Sequence, residues 1–317
     1  MPTQVKYGLI EAATSKDNNL LSIHTMCTLA GVSRSGYYRW LANKPQREQR
    51  EKRDWEDFQK ILKAYESEGY PKGSRAIHMV LLHRNEVMNV KKINRLKAKY
   101  GLRCPIRQKN KYREMAKRTK SNAVFPNIVD RQFKSKGARK ILLTDITYLF
   151  YGSKVCYLSV LMDAYTREVL AWQLSRTLAV GFVLRTVDAL VQKHGCELDD
   201  SVIVHSDQGF HYTSKAFIAK LRDKSFAQSM SRKGNCWDNA PQENFFGHMK
   251  DEIRMRMLDS KSYEEVEAIV EKWMDYYNNR RYQWGLQKLS PREYYDYVTT
   301  GKDPLAWYRG SAPNPGV

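Results

Sequence analysis

Apolar residues recur at helical spacing through the first third of the chain. In "SIHTMCTLAGVSRSGYYRWLANK" an apolar stretch runs to Gly31, a turn residue, and Ser33 then stands as N-cap of a short helix carrying Arg34, Tyr37, Tyr38 and Trp40. Helix, glycine turn and capped helix make the grammar of a helix-turn-helix. The second helix of that motif sets its first residues on base edges, so Arg34 is a predicted DNA contact. Trp55, Phe58, Ile61, Leu62 and Tyr65 repeat the spacing, Gly69-Tyr70-Pro71 interrupts it, Ser74 opens another helix and Asn89 caps a third. These predict a second helical DNA-binding unit.

From residue 139 the pattern becomes β-rich. "ARKILLTDITYLFY", "SKVCYLSVLMDAY" and "EVLAWQLS" are separated by Gly152 and by a turn at Tyr165-Thr166-Arg167, which predicts an antiparallel meander. A helix in "AVGFVLRTVDALVQKHG", a strand in "SVIV", a helix from about Thr213 to Phe226, a strand in "AQSM" and a helix from about Pro241 follow. The order βββ-α-β-α-β-α is that of an α/β ribonuclease H-like core, a mixed five-stranded sheet with helices, here preceded by all-α helix-turn-helix domains. The expected domains are 1–46 and 47–102 (DNA-binding helices), 103–138 (basic linker), 139–258 (core) and 259–317 (C-terminal extension). An amphipathic helix in "EEVEAIVEKWMDYYNNRRYQWGL" belongs to the last of these.

Charge sharpens this division. The 317 residues carry a formal net charge of +20, and residues 1–138 hold 30 Lys and Arg against 12 Asp and Glu, while 139–317 hold 24 against 22. A front half this basic attracts polyphosphate whatever its sequence. Eight basic residues against one acid between Arg103 and Lys120 suggest an extended linker that orders on DNA. No run approaches the roughly 18 apolar residues of a membrane span, and "MPTQVKYGLIEAATSKD" lacks a signal-peptide layout, so a cytoplasmic protein with no membrane partner is expected. The five cysteines show no C-x-x-C spacing and read as reduced thiols.

Three acids stand where such a core delivers side chains to one sheet end: Asp145 in the first strand, Asp207 just past the fourth, and Glu243 in the first turn of the next helix, with 35 residues between the last two. Hard oxygen ligands in a small cluster suit Mg²⁺, with Mn²⁺ able to substitute. Two such ions activate a nucleophile and stabilise the leaving oxygen of a phosphodiester. Lys250 and Arg254 fall seven and eleven positions after Glu243, near the same helix face, and are expected to hold DNA phosphates. His205, Asp238 and Asn239 lie beside these acids and are expected to form turns or support them from behind, Asp238 being the one rival ligand. Asp163 is expected to stabilise a β-turn.

Together, "LLTDITYL", "VIVHSDQGFHYTS", "SMSRKGNCWDNAPQENFFGHMKDEI" and "YYNNRRYQWGLQKLSPREYY" resemble the integrase-like frame, OrfB, of the bacterial insertion-sequence-three transposases, within the DDE transposase and retroviral integrase superfamily. The resemblance spans about residues 139–298 and extends to the helical units before it. It implies that Asp145, Asp207 and Glu243 are the metal-binding catalytic triad, and that the enzyme cuts at terminal inverted repeats and joins the freed 3′ hydroxyl to another phosphodiester. It also implies double-stranded repeat and target DNA as partners, a homo-oligomer of at least two subunits to synapse DNA ends, and fusion to an upstream frame in some members. Tyr277, Asn278 and Arg281 match the family pattern, and packing on the core is expected for their helix, with Arg281 a further DNA contact. The pattern commonly has Trp where Leu142 or Leu143 stands and Gln where His211 stands, which leaves His211 placed to tune the surroundings of the acids. A ribonuclease H-like nuclease that only hydrolyses, and a DNA-binding regulator with an inactive core, are the rival readings.

Overall fold

The computed structural model describes residues 1–16, 19–104, 125–232 and 236–310. The chain opens with three helices, α1 (Thr3–Thr14), α2 (Ile23–Ala30) and α3 (Arg34–Ala42), around a core of Tyr7, Ile10, Met26, Cys27 and Tyr37. Gly31 ends α2 at φ 63°, a conformation that favours glycine, and the Ser33 hydroxyl accepts the Gly36 N–H to start α3. The predicted helix-turn-helix is therefore present, with α1 packed behind it.

Helix α4 (Lys44–Glu66) runs unbroken through residue 46, so the boundary expected there falls inside a helix. Pro45 at its first turn is compatible with this, because the first N–H groups of a helix have no partner to lose. With α5 (Ser74–His83) and α6 (Val90–Lys99) it encloses Phe58, Ile61, Ile77, Leu81, Ile93 and Leu96. The Asn89 side chain caps α6 by accepting the Lys91 N–H.

The core contains β1 (Ile141–Tyr151), β2 (Lys154–Asp163), β3 (Val169–Ser175), α7 (Val180–His194), β4 (Ile203–Ser206), α8 (Phe210–Thr213), α9 (Lys215–Asp223), β5 (Ala227–Met230) and α10 (Ala240–Asp259). In space the strands run β3-β2-β1-β4-β5; β1, β2 and β3 pair antiparallel, and β4 and β5 run parallel to β1. That is the ribonuclease H-like sheet. Asp163 holds the β2–β3 turn, accepting the Thr166 N–H and hydroxyl, which agrees with the expected turn role. The helix expected from Thr213 to Phe226 divides at Ser214, whose hydroxyl caps α9 by accepting the Phe217 N–H.

Alternation along β1 sends Leu142 to one face, with Phe182 and Val187 of α7 and Phe217 of α9. It sends Ile141 and Leu143 to the other, with Phe245 and Met249 of α10 and Trp273 of α11 (Tyr263–Asn279). Two helices, α12 (Pro291–Thr300) and α13 (Ala306–Arg309), are the last among the described residues. The second helical unit packs onto this extension: Tyr70 stacks on Tyr276 at 4.5 Å, and Leu82 joins Leu286, Leu289, Tyr294 and Leu305 in one cluster.

Most of the expected basic linker, 105–124, lies outside the described residues. Its last part is a turn-rich strap along β5, where the Ile128 N–H donates to the Ser229 hydroxyl and the Met230 N–H to the Pro126 carbonyl. A linker free along its whole length is thus corrected: residues 125–138 belong to the core.

Candidate functional site

The parallel register positions the first two acids. Ile141, Leu142 and Leu143 pair with Ile203, Val204 and His205. Carried two residues further, that register sets Asp145 beside Asp207, one strand apart and on the face that carries Leu143. Helix α10 lies on the same face, and its first turn brings Glu243. Asp207 and Glu243 both lie near enough to Asp145 at this end of the sheet for their charges to reach it. Burial raises the Asp145 carboxyl well above the usual carboxylate range, and Asp207 and Glu243 add to the rise, while the Ile146 N–H and the Lys250 ammonium oppose it. Asp207 is at the exposed rim, yet the protein around it still raises its carboxyl, against the Gly209 N–H and His211.

The crowding has a magnitude. Two carboxylates one strand spacing apart, about 5 Å, repel by roughly 3 kcal/mol at an effective dielectric of about 20. A single N–H donor to a charged group returns only about 1.5–3 kcal/mol. The geometry therefore favours protons or a cation. Among the described residues no three His, Cys, Asp or Glu side chains close into a metal cage by themselves. An open set of carboxylate oxygens still fits a hard divalent ion, which keeps waters and accepts substrate phosphate oxygens to complete its shell.

The neighbours divide into those that hold this end of the sheet and those that face outward. His205 is fully buried in β4, its ring nitrogens 2.9 and 3.1 Å from the Ser229 and Ser231 hydroxyls, and burial holds the imidazole below its usual pKa. It ties β4 to β5 two residues before Asp207. The His211 ring nitrogen bonds the Leu178 carbonyl at 3.0 Å and ties α8 to the start of α7. Asn239 is buried, and its side-chain oxygen has no hydrogen-bond partner among the described residues.

Asp238 is not a rival metal ligand. Its carboxylate is buried and accepts from the guanidinium groups of Arg131 and Arg232, the Arg232 N–H and the Asn127 amide, at 2.8–3.0 Å. Those donors, Arg232 foremost, hold it far below the usual carboxylate range. The result is a latch that fixes the approach to α10, and hence Glu243, to the strap before β1. Arg131 gave no signal in the sequence because its segment read as linker.

Among the predicted DNA contacts, Arg34 is exposed at the start of α3, and Lys250 and Arg254 are exposed on α10. Arg281 is a correction. It reaches inward to Glu252 of α10 through three contacts of 2.8–3.2 Å, the two side chains being 17% and 13% exposed, and so fastens the end of α11 to α10. Such a pairing leaves no donor fork for phosphate.

Integrase core domain models match residues 136–236 and 224–291, and an HTH-like domain model matches 52–110. The transposase for insertion sequence element IS904 of Lactococcus lactis is 31% identical over 219 residues, 68% of this chain and 85% of that one. InsK, for insertion sequence element IS150 of Escherichia coli, is 30% identical over 268 residues, covering 84% and 90%, and the transposase InsF for insertion sequence IS3A of the same organism is 26% identical over 297, covering 92% and 98%. The catalytic core domain of HTLV-2 integrase, solved with magnesium, superposes with a TM-score of 0.39 at 14% identity, covering 50% of this chain and 97% of that one. With the core model, the HTH-like model and relatives that span nearly the whole chain in agreement, the protein belongs to the IS3 family of insertion-sequence transposases, polynucleotidyl transferases that bind DNA.

Proposed function

We propose that Asp145, Asp207 and Glu243 are the catalytic carboxylates of this transposase, and that they hold divalent ions, two Mg²⁺ with Mn²⁺ as substitute, against the phosphodiester to be cut and joined. The observation that carries the reading is the β1–β4 register, which sets two carboxylates side by side beneath the helix that brings the third. Bound there, the ions supply Lewis-acid activation of the attacking hydroxyl and neutralise charge on the leaving oxygen. The Ile146 N–H, 2.7 Å from Asp145 Oδ1, and the Gly209 N–H, 2.9 Å from Asp207 Oδ1, orient the two strand acids. Lys250, whose charge reaches Asp145, is positioned to hold a phosphate next to the reacting one.

Recognition is assigned to the front half. Arg34, in the first turn of an exposed second helix, faces the major groove of a terminal repeat, and the second helical unit adds backbone contacts. Synapsis of two repeat ends calls for at least two subunits. Asp207→Asn, assayed on repeat-ended DNA, is expected to lose both cleavage and joined products while binding the repeat with parental affinity. Unchanged cleavage would remove Asp207 from the site. Cleavage by the parent with no joined product under any divalent ion would favour a hydrolytic role.

A further inference from the structure

A cleft of about 1320 Å³ opens between α5, the far side of α10, and the turn after α11. It exceeds the roughly 300–1,000 Å³ of a small-molecule pocket. Its charge is unusual. Arg280 and Arg281 on its wall are matched by carboxylates, Arg280 by Glu68 and Asp275, Arg281 by Glu252. Four more guanidinium groups are not. Arg75 lies over the Trp284 ring, Arg167 reaches the Gln283 amide oxygen, Arg256 reaches the Tyr70 hydroxyl and Gly69 carbonyl, and Arg254 extends into the opening, with no ion pair to any of the four among the described residues. The carboxylates that line the cleft are Glu252, engaged by Arg281, and Asp251. Cations gathered in this way repel one another and favour an anionic occupant.

Trp284 adds a second kind of contact. Its side chain is 46% exposed, with the Arg75 guanidinium and the Lys288 ammonium each 5.4 Å from the ring centroid. The turn that carries it is held at both ends, since the Gln283 N–H donates to the Leu289 carbonyl and the Lys288 N–H to the Gln283 carbonyl. A rigid, half-open indole flanked by cations suits a nucleobase with a phosphate on either side. A paired base offers no face to such a ring, so the occupant is unpaired.

The cleft reaches the helical turn of α10 that carries Glu243, although none of the three acids lines it. Ala240, Pro241 and Asn244 line it, and Glu243 belongs to the same helical turn. Arg254 lies eleven residues further along α10, roughly 16 Å away. We propose that this cleft holds the single-stranded DNA that continues from the scissile phosphate, with its backbone on Arg75, Arg254 and Arg256 and one base stacked on Trp284. The proposal rests on the assignment of Glu243 to the reaction centre.

The test uses the full chain in an Asp207→Asn background, so that binding is read without cleavage. The ligand is a repeat-ended duplex with a short single-stranded extension containing 2-aminopurine. Binding is expected to quench the fluorophore. Trp284→Ala should abolish the quench and weaken binding of the extended DNA about tenfold while leaving the blunt duplex unaffected, and Trp284→Phe should restore most of both. Arg75→Ala with Arg254→Ala, both at the surface, should lower the salt dependence of binding by about 1.4 in slope, two phosphate contacts' worth. Parental quench and affinity in Trp284→Ala, or an unchanged slope in the arginine pair, would overturn the proposal. Failure of the triad would appear separately, as surviving cleavage in Asp207→Asn.

Discussion

Replacing Arg281 with alanine separates a fastening role from a DNA contact. The guanidinium makes a forked contact with Glu252, and the Trp273 indole N–H donates to the same carboxylate at 3.0 Å. Both charged partners are mostly shielded, so loss of one leaves the other desolvated, a change that costs about 3–5 kcal/mol. Trp273 still satisfies part of Glu252, which places the expected loss near the lower end, about 3 kcal/mol. For a core of this size each kcal/mol moves the midpoint by about 2–4 °C, so Arg281→Ala should unfold roughly 6–12 °C below the parent in a thermal melt. Glu252→Gln in the same chain should recover much of that, because the stranded charge is gone. Repeat-DNA affinity below the melting range should stay at the parental level. A loss under 1 kcal/mol, the size of an exposed pair, together with weakened DNA binding, would refute the inward assignment.

Three further outcomes follow from the site. In metal-free protein Asp145→Asn should raise stability at neutral pH. The raised folded pKa means that the native state binds more protons than the unfolded chain above about pH 4, so parental stability falls as pH rises through the folded value and then levels; parallel melting profiles for parent and variant in chelator would contradict this. Gly209→Ala places a Cβ 2.8 Å from Asp207 Oδ1 on a backbone that alanine tolerates, φ −64°. Cleavage should drop at least tenfold with the melting point within about 2 °C, and full activity would mean that the Asp207 orientation is not needed. Asp238→Ala removes the shared carboxylate from Arg131 and Arg232, which are 46% and 50% exposed and can be hydrated, and should cost about 1–3 kcal/mol. Its latch should also weaken in acid, because a depressed carboxyl stabilises the fold above its unfolded pKa and ceases to do so as pH falls through the folded one; a small change seen equally at pH 7 and pH 3 would argue against it.

The sheet was legible because its strands announce themselves by β-branched runs between turn residues, and because element order alone limits how β4 can join β1. The positions of Asp145 and Asp207 followed from that order. What the chain conceals is pairing across distance. Arg281 and Glu252 are 29 residues apart, and nothing local in either marks the other. Arg131 sits in a basic run that composition assigns to a linker, although its partner Asp238 lies 107 residues on. The break at residue 46 failed for a different reason: charged residues of good helix propensity continue a helix across a change in apolar pattern. Helix α1 is hard to read from sequence because its mix of small and polar residues leaves only a faint apolar stripe.

Helix α4 has a consequence of phase. Its last part, with Phe58, Ile61 and Ala64, belongs to the core of the second unit, so only its first ten or so residues, roughly 15 Å, join that unit to the small front unit with its own core. Two reading heads joined by a continuous helix are held in one rotational phase, and a terminal repeat bound by both should be protected as two blocks. Removing a single residue among Glu48, Gln49 and Arg50 would shorten the helix by only about 1.5 Å but rotate the front unit by about 100°. Footprints of that deletion should lose one block, whereas a four-residue deletion, slightly more than one helical turn, should keep both at a closer spacing.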